Sequence, residues 1–181
     1  PIPVGFWRSV GFSVNVFAVE SFIDELAHAA GKDPVQFRLA HMEKGSRPYN
    51  ILSLLAEKGG WNRPVPNGRA RGVALNSCFE SFAAHMAEVS VGNKGRIKVH
   101  KMVCALDCGT AVYPDAIRAQ AEGGVVMGLS VALHEKVRFE NGGVKTANYD
   151  DYPVLTMSEV PEIDVHIAKS NLKPGGDGEP V

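Results

Sequence analysis

The carboxylate of Glu179 has the most constrained surroundings in the sequence. It stands in NLKPGGDGEPV (residues 171–181), after Gly175, Gly176 and Gly178 and before Pro180. Glycine lets main chain approach a neighbour closely, and proline stiffens the exit from the loop. A carboxylate held in this way suits proton transfer with a reacting group. The same pattern also describes a plain solvent-facing loop. Asp177 lies two residues earlier. Two carboxylates facing one space oppose each other's ionisation, whereas an Asp177 turned to solvent leaves its neighbour alone. Hydrolysis by the Asp177/Glu179 pair is the weaker alternative, because no partner nucleophile stands near them in sequence.

Two further segments carry candidate chemistry. In VGFWRSVG (4–11), Gly5 and Gly11 bracket Trp7 and Arg8 just ahead of a helical pattern. Backbone N–H groups at a helix start, beside an arginine, suit an anionic group, while an exposed turn needs no ligand. The stretch 113–135 reads as a helix yet contains Gly123, Gly124 and Gly128. Each interior glycine costs about 0.5–1 kcal/mol relative to alanine. Either close packing on a sheet or close approach of a ligand or second backbone must offset that cost. Gln120 lies one turn before Gly124, and no G-x-G-x-x-G follows a strand.

Other classes of function fit poorly. Nineteen Lys and Arg balance twenty Asp and Glu, for a net charge of −1. No basic stripe with interleaved aromatics marks a nucleic-acid partner, and no apolar run is long enough for a membrane span. Three cysteines (Cys78, Cys104 and Cys108) do not make a disulfide framework. The pair in CALDC lacks a matching Cys/His pair at zinc spacing, so buried, unliganded thiols are expected. The six histidines are scattered. A start at PIPVGFWRSV, with neither Met nor a signal-peptide layout, makes a piece of a longer protein the expectation.

The elements that must position these residues change period along the chain. Residues 13–30 are expected to form an amphipathic helix. Phe12, Val16, Val19, Ile23, Leu26 and Ala30 would face inward, and Ser13, Glu20, Asp24 and His28 outward. DPVQ (33–36) resembles a capping box opening a second helix to about Lys44. A third helix over 47–60 would turn Ile51, Leu54 and Leu55 inward. After the Pro/Asn/Gly-rich linker 61–72 come strands in GVALNSCF and FAAHMAEVSV, a GNKG turn (92–95), and RIKVHKMVCALD (96–107). The last has Ile97, Val99, Val103 and Ala105 on one side. The glycine-containing helix is next, then a hairpin around Asn141-Gly142-Gly143 and a final strand over 162–170. The fold class is therefore α+β: a helical segment with the arginine loop over 1–60, then a mostly antiparallel sheet plus a packed helix over 61–181.

Three motifs in this order resemble the molybdenum hydroxylases, the xanthine dehydrogenase and aldehyde oxidase superfamily. GFWRSVGFSVNVFAVESFIDELA resembles the family's arginine loop and the helix after it. DCGTAVYPDAIRAQAEGGVVMGLS is similar to its D-x-G-x-x-x-x-P…Q-x-E-G…G-L stretch, and GGDGEP to the loop holding the catalytic base. GKDPVQFRLAHM and ANYDDYPVL add family character. The likeness covers essentially the whole chain and is greatest to large subunits of the isoquinoline 1-oxidoreductase type, in which the arginine loop runs directly into the later strands. It implies part of a molybdopterin-binding domain, with Glu179 as catalytic base and Arg8, Gln120, Gly124 and Gly178 about a molybdenum-molybdopterin cofactor. No residue is expected to ligate the metal directly. It also implies hydroxylation of N-heterocyclic aromatics or oxidation of aldehydes with water as oxygen source. Electrons would leave through iron–sulfur clusters on a small partner subunit, since this chain has no cysteine pattern for them. Two positions depart from the pattern: Tyr113 replaces the usual Asn before Pro114, and Asp177 replaces an apolar residue. The alternative is a non-catalytic assembly domain contacting the iron–sulfur subunit. The 181-residue piece alone is expected to be inactive and free of cofactor.

Overall fold

Three consecutive strands, β1 (Arg69–Cys78), β2 (Ser81–Val91) and β3 (Ile97–Asp107), form the expected antiparallel meander. The computed structural model describes residues 4–181. Phe79 and Glu80, with φ of 49° and 64°, turn β1 into β2, and Lys94 at 65° lies in the next turn. Such left-handed residues match the twist of the paired strands. A helix, α4 (Pro114–Leu133), then crosses the sheet. After it comes the small hairpin of β4 (Phe139–Glu140) and β5 (Gly143–Val144), turned by Asn141 and Gly142 at φ of 50° and 79°. Last, β6 (Glu162–Ile167) pairs with β3 in parallel. Parallel neighbours require a crossover such as α4. The strand order is β1-β2-β3-β6.

Helices cover both faces, so β3 is buried continuously from Met102 to Asp107. On one face Val103 and Ala105 pack with Val73, Ala84 and Met86 against α2 (Pro34–Ala40) and α3 (Arg47–Lys58). Ile51, Leu52 and Leu55 fill that layer, with Leu54 only at its margin. On the other face Cys104 and Leu106 pack with Ala83, Ile117 and Ala121 under α4. A strand covered on both sides carries an almost unbroken apolar run.

One expected alternation breaks. Val99 pairs with Val89 but Lys101 pairs with Glu88, so His100 is an extra residue in β3. A bulge resets which side each residue faces. Ile97 and Val99 therefore do not share the face of Val103 and Ala105.

The first helix, α1 (Phe12–Ala29), corrects the expectation more sharply. Only Glu20 and Ala27 in it are buried, while Val19 and Leu26, assigned inward, are exposed. The cause is Arg38, which is 3% exposed. It donates to Glu20 Oε2 (3.0 Å), Asp24 Oδ1 (2.6 Å), the Glu20 carbonyl (3.0 Å) and the Pro34 carbonyl (3.1 Å). A buried guanidinium must be paired, so the acidic side of α1 turns inward. Glu20 Oε2 also accepts the Leu75 N–H of edge strand β1 at 2.9 Å. Three elements are thereby locked together. The second helix is shorter than expected and ends at Ala40. Asp33 caps it by accepting from Val35 N (3.0 Å) and Gln36 N (2.9 Å).

Candidate active site

Residues 172–179 lie across the end of the sheet, where β1 turns into β2 and β3 finishes. The N–H and hydroxyl of Thr110 both donate to the Leu172 carbonyl (2.9 and 2.8 Å). Gly175 N–H donates to the Cys108 carbonyl (2.8 Å), and Gly176 N–H to the Phe79 carbonyl (2.9 Å). A Cβ on Gly175 would sit 2.6 Å from Ser81 Oγ and 2.9 Å from the Glu80 carbonyl. One on Gly109, itself at φ 74°, would lie 2.2 Å from the Lys173 carbonyl. Gly175 therefore serves close approach to the protein's own main chain.

Below this loop a clamp joins the helical layer to the sheet end. Arg47 donates to Asp107 Oδ2 (2.7 Å) and Oδ1 (3.0 Å) and to the Glu80 carbonyl (2.9 Å). Its guanidinium lies 4.7 Å from the centre of the Phe82 ring. Asp107 also accepts from Gly109 N–H at 3.0 Å. Asp107 opens the DCGTAVYP motif, but its partner Arg47 lies 60 residues away and nothing in the local sequence links them.

The candidate residues converge on this loop. Arg8 Nε donates to the Gly178 carbonyl at 2.7 Å, and Nη2 donates to the same oxygen. Gln120 Nε2 reaches that carbonyl at 3.3 Å. Ser9 N–H donates to Glu179 Oε1 (3.2 Å), and Ser9 Oγ donates to the Glu179 carbonyl. The anion beside the arginine loop is thus Glu179 itself. Gly124 receives Val181, whose side chain a Cβ there would meet at 3.1 Å, while nothing lies within 4 Å of a Cβ on Gly128. The two glycines therefore do different work: one admits Val181, the other leaves space open. Ser9 is a site residue that the sequence does not single out; its only signal is its place next to Arg8.

Glu179 and Arg8 stand at one side of a cavity of about 440 Å³ between α1 and α4. Its other walls are largely apolar, with Phe12, Val16 and Phe17 from α1 and Met127 and Val131 from α4. This is the size and lining of a small-molecule site. The nearby thiols stay protonated. Burial, and then the Glu179 charge, push the Cys78 thiol up; burial, and then Asp177, do the same to Cys108. Burial alone pushes Cys104 up to about 12. The two loop carboxylates thus act on different thiols. The cysteines are free and buried, as expected. Tyr113 precedes α4 without a side-chain cap bond.

Residues 18–161 match the molybdopterin cofactor-binding domain family. This chain belongs to that family. It is 35% identical to the beta subunit of the isoquinoline 1-oxidoreductase of Brevundimonas diminuta, over 98% of this chain and 23% of that protein. It is 36% identical to a subunit of the nicotinate dehydrogenase of Pseudomonas putida, over 99% of this chain and 17% of that protein. The chain therefore spans less than a quarter of either relative's length. The aldehyde oxidoreductase of Desulfovibrio desulfuricans shares the fold with a TM-score of 0.75 at 13% identity, over 96% of this chain and 37% of that one. Among the described residues of this molybdopterin cofactor-binding domain, no helix is long and apolar enough to cross a membrane. The resemblance to the molybdenum hydroxylases, with its α+β fold, is borne out.

Two expected results come from the packing of the site. Gly175→Ala drives a methyl group into Ser81 Oγ and the Glu80 carbonyl and lowers the melting temperature. Gly128→Ala meets nothing and leaves the melting temperature unchanged or higher. Thermal melts of both variants check this.

Stability should also fall on acidification in two stages. Half-buried His85 has its pKa lowered from 6.5 to about 4 by desolvation. The unfolded chain therefore binds its proton first, and stability drops as pH falls through that window. Asp107, lowered chiefly by the Arg47 hydrogen bond, and Glu88, lowered chiefly by Arg69, contribute stability above the ordinary carboxylate range. That contribution is lost as pH falls below about 4. Urea midpoints measured from pH 8 to pH 3 should show both stages, and His85→Gln should shrink the upper one, leaving the part due to His100, which desolvation also lowers.

Proposed function

We propose that this chain is the part of a molybdopterin-binding catalytic subunit that supplies the proton-handling wall of the active site. The observation that carries the reading is Glu179 at the rim of an apolar cavity, with one carboxylate oxygen pinned by Ser9 and its loop anchored through Arg8 and Gln120. The residues present fit one wall of such a site. Gly128 leaves open space, and the apolar side chains accept a flat ring.

Glu179 accepts a proton from the water-derived oxygen nucleophile through Oε2, the oxygen that Ser9 leaves free. Arg8 and Gln120 hold the Gly178 carbonyl and thereby fix the base loop. Gly124 seats Val181, which keeps the base loop against α4. Phe12, Val16, Phe17 and Val131 exclude water around the reacting carbon. The molybdenum-molybdopterin group, when bound, supplies the two-electron redox chemistry. The substrate class is an N-heterocyclic aromatic or an aldehyde, since both present an electron-poor carbon open to attack. Electrons pass to iron–sulfur clusters on a small partner subunit.

The test is the metal and pterin content of the full-length protein purified with its companion. Molybdenum and pterin near one equivalent support the reading, and neither being present ends it. One observation favours a second reading, a non-catalytic assembly domain contacting the iron–sulfur subunit. The side of α1 away from the cavity exposes apolar side chains, with Val14 68% and Phe22 58% exposed.

A further inference from the structure

The arginine loop carries an unusual strain. Ser9 and Val10 have φ of 67° and 47°, the left-handed region, whereas the flanking Gly11 has φ of −76°. An L-residue in that region is strained, and a β-branched one such as valine is a true outlier. The strain therefore falls on two residues poorly suited to it, beside a glycine that could have taken it. Strain of this kind persists only where surrounding interactions over-determine it.

The turn itself is closed by Val10 N–H to the Trp7 carbonyl (2.9 Å), and Ser13 Oγ donates to the Val10 carbonyl (3.0 Å). Its long-range bonds all concern the base loop or the cavity wall. Arg8 donates to the Gly178 carbonyl and contacts Met127 Sδ at 3.6 Å. Ser9 holds Glu179 twice, by its N–H to Oε1 and by its hydroxyl to the main-chain carbonyl. Ser9 is only 9% exposed, so water competes poorly for these bonds.

We propose that Ser9 is a positioning residue that sets the direction of the Glu179 carboxylate. One bond fixes the backbone from which the side chain springs. The other fixes one of the two carboxylate oxygens and leaves Oε2 without a hydrogen bond among the described residues. The left-handed turn is what brings the N–H and the hydroxyl of one residue onto the same partner. This role rests on Glu179 being the catalytic base.

A double-mutant cycle in the full-length protein tests it. Ser9→Ala removes the hydroxyl bond and keeps the strain. Ser9→Gly removes the bond and relieves the strain, so it folds at least as well. Both should lower kcat about tenfold with KM within twofold and normal molybdenum content. In a Glu179→Gln background the same changes should cost nothing further, because Ser9 acts through that carboxylate. An unchanged kcat, a loss appearing in KM, or a full additional tenfold loss in the Glu179→Gln background would overturn the proposal. If Glu179→Gln alone leaves turnover intact, the base reading has failed instead, and the two failures are told apart within one experiment.

Discussion

Glu179→Gln should reduce turnover of the full-length protein by about 100- to 10,000-fold, the range that a positioned general base contributes. Glutamine has nearly the same volume, and its carbonyl oxygen can still accept the Ser9 N–H. The Gly178 carbonyl, on which Arg8 and Gln120 converge, is untouched. Molybdenum content, pterin content and melting temperature should therefore match the parent protein. What changes is the capacity to accept a proton at the free oxygen. The result distinguishes the two readings of the chain. A collapse of turnover with full cofactor content supports a catalytic wall, whereas unchanged turnover supports an assembly role. Steady-state kinetics with a heterocycle or aldehyde substrate, beside metal analysis, measure both.

Arg38→Met should have the largest effect on stability. The Arg38 side chain is 1% exposed and that of Glu20 11% exposed, while Asp24 is half in water at 44%. Removing the cation leaves Glu20 as a buried charge without its counter-ion, which costs about 3–5 kcal/mol. Asp24 adds less, because solvent screens it. The loss falls on the docking of α1, the helix next to Arg8 and Ser9, so activity should decline together with stability. A second change identifies the cause. Glu20→Gln in the Arg38→Met background removes the stranded charge but keeps an oxygen for the Leu75 N–H, and it should recover part of the loss. Urea unfolding followed by Trp61 fluorescence suits the measurement, because its indole donates to the α2 cap Asp33 at 2.8 Å. A midpoint for Arg38→Met equal to the parent would contradict the account.

The two results bear on what is legible in the residues alone. Two hairpin turns are legible because their chemistry is local, in GNKG and Asn141-Gly142, whereas the β1–β2 turn through Phe79 and Glu80, left-handed with neither glycine nor asparagine, is not. The helices are legible from their periods, and the buried thiols from composition. The inner face of α1 is not. Its apolar stripe points one way, yet Arg38, 18 residues from Glu20, requires the acidic side to face in. Hydrophobic periodicity measures one helix against an average interior, and it cannot register a buried cation supplied by another element.

The site divides along the same line. The resemblance of three motifs points to Glu179, Arg8, Gln120, Gly124 and Gly178, and glycines beside a carboxylate and an arginine beside a helix start are local facts compatible with it. Tertiary structure decides what these residues touch. Arg8 and Gly178 are 170 positions apart and meet at one carbonyl. Gly175 accommodates the protein's own sheet end, and Ser9 holds the carboxylate. The bulge at His100 and the parallel pairing of β6 with β3 likewise arise only when strands meet. Local conformational preference acts over a few residues, whereas a hydrogen bond between distant segments exists only once the core between them has closed.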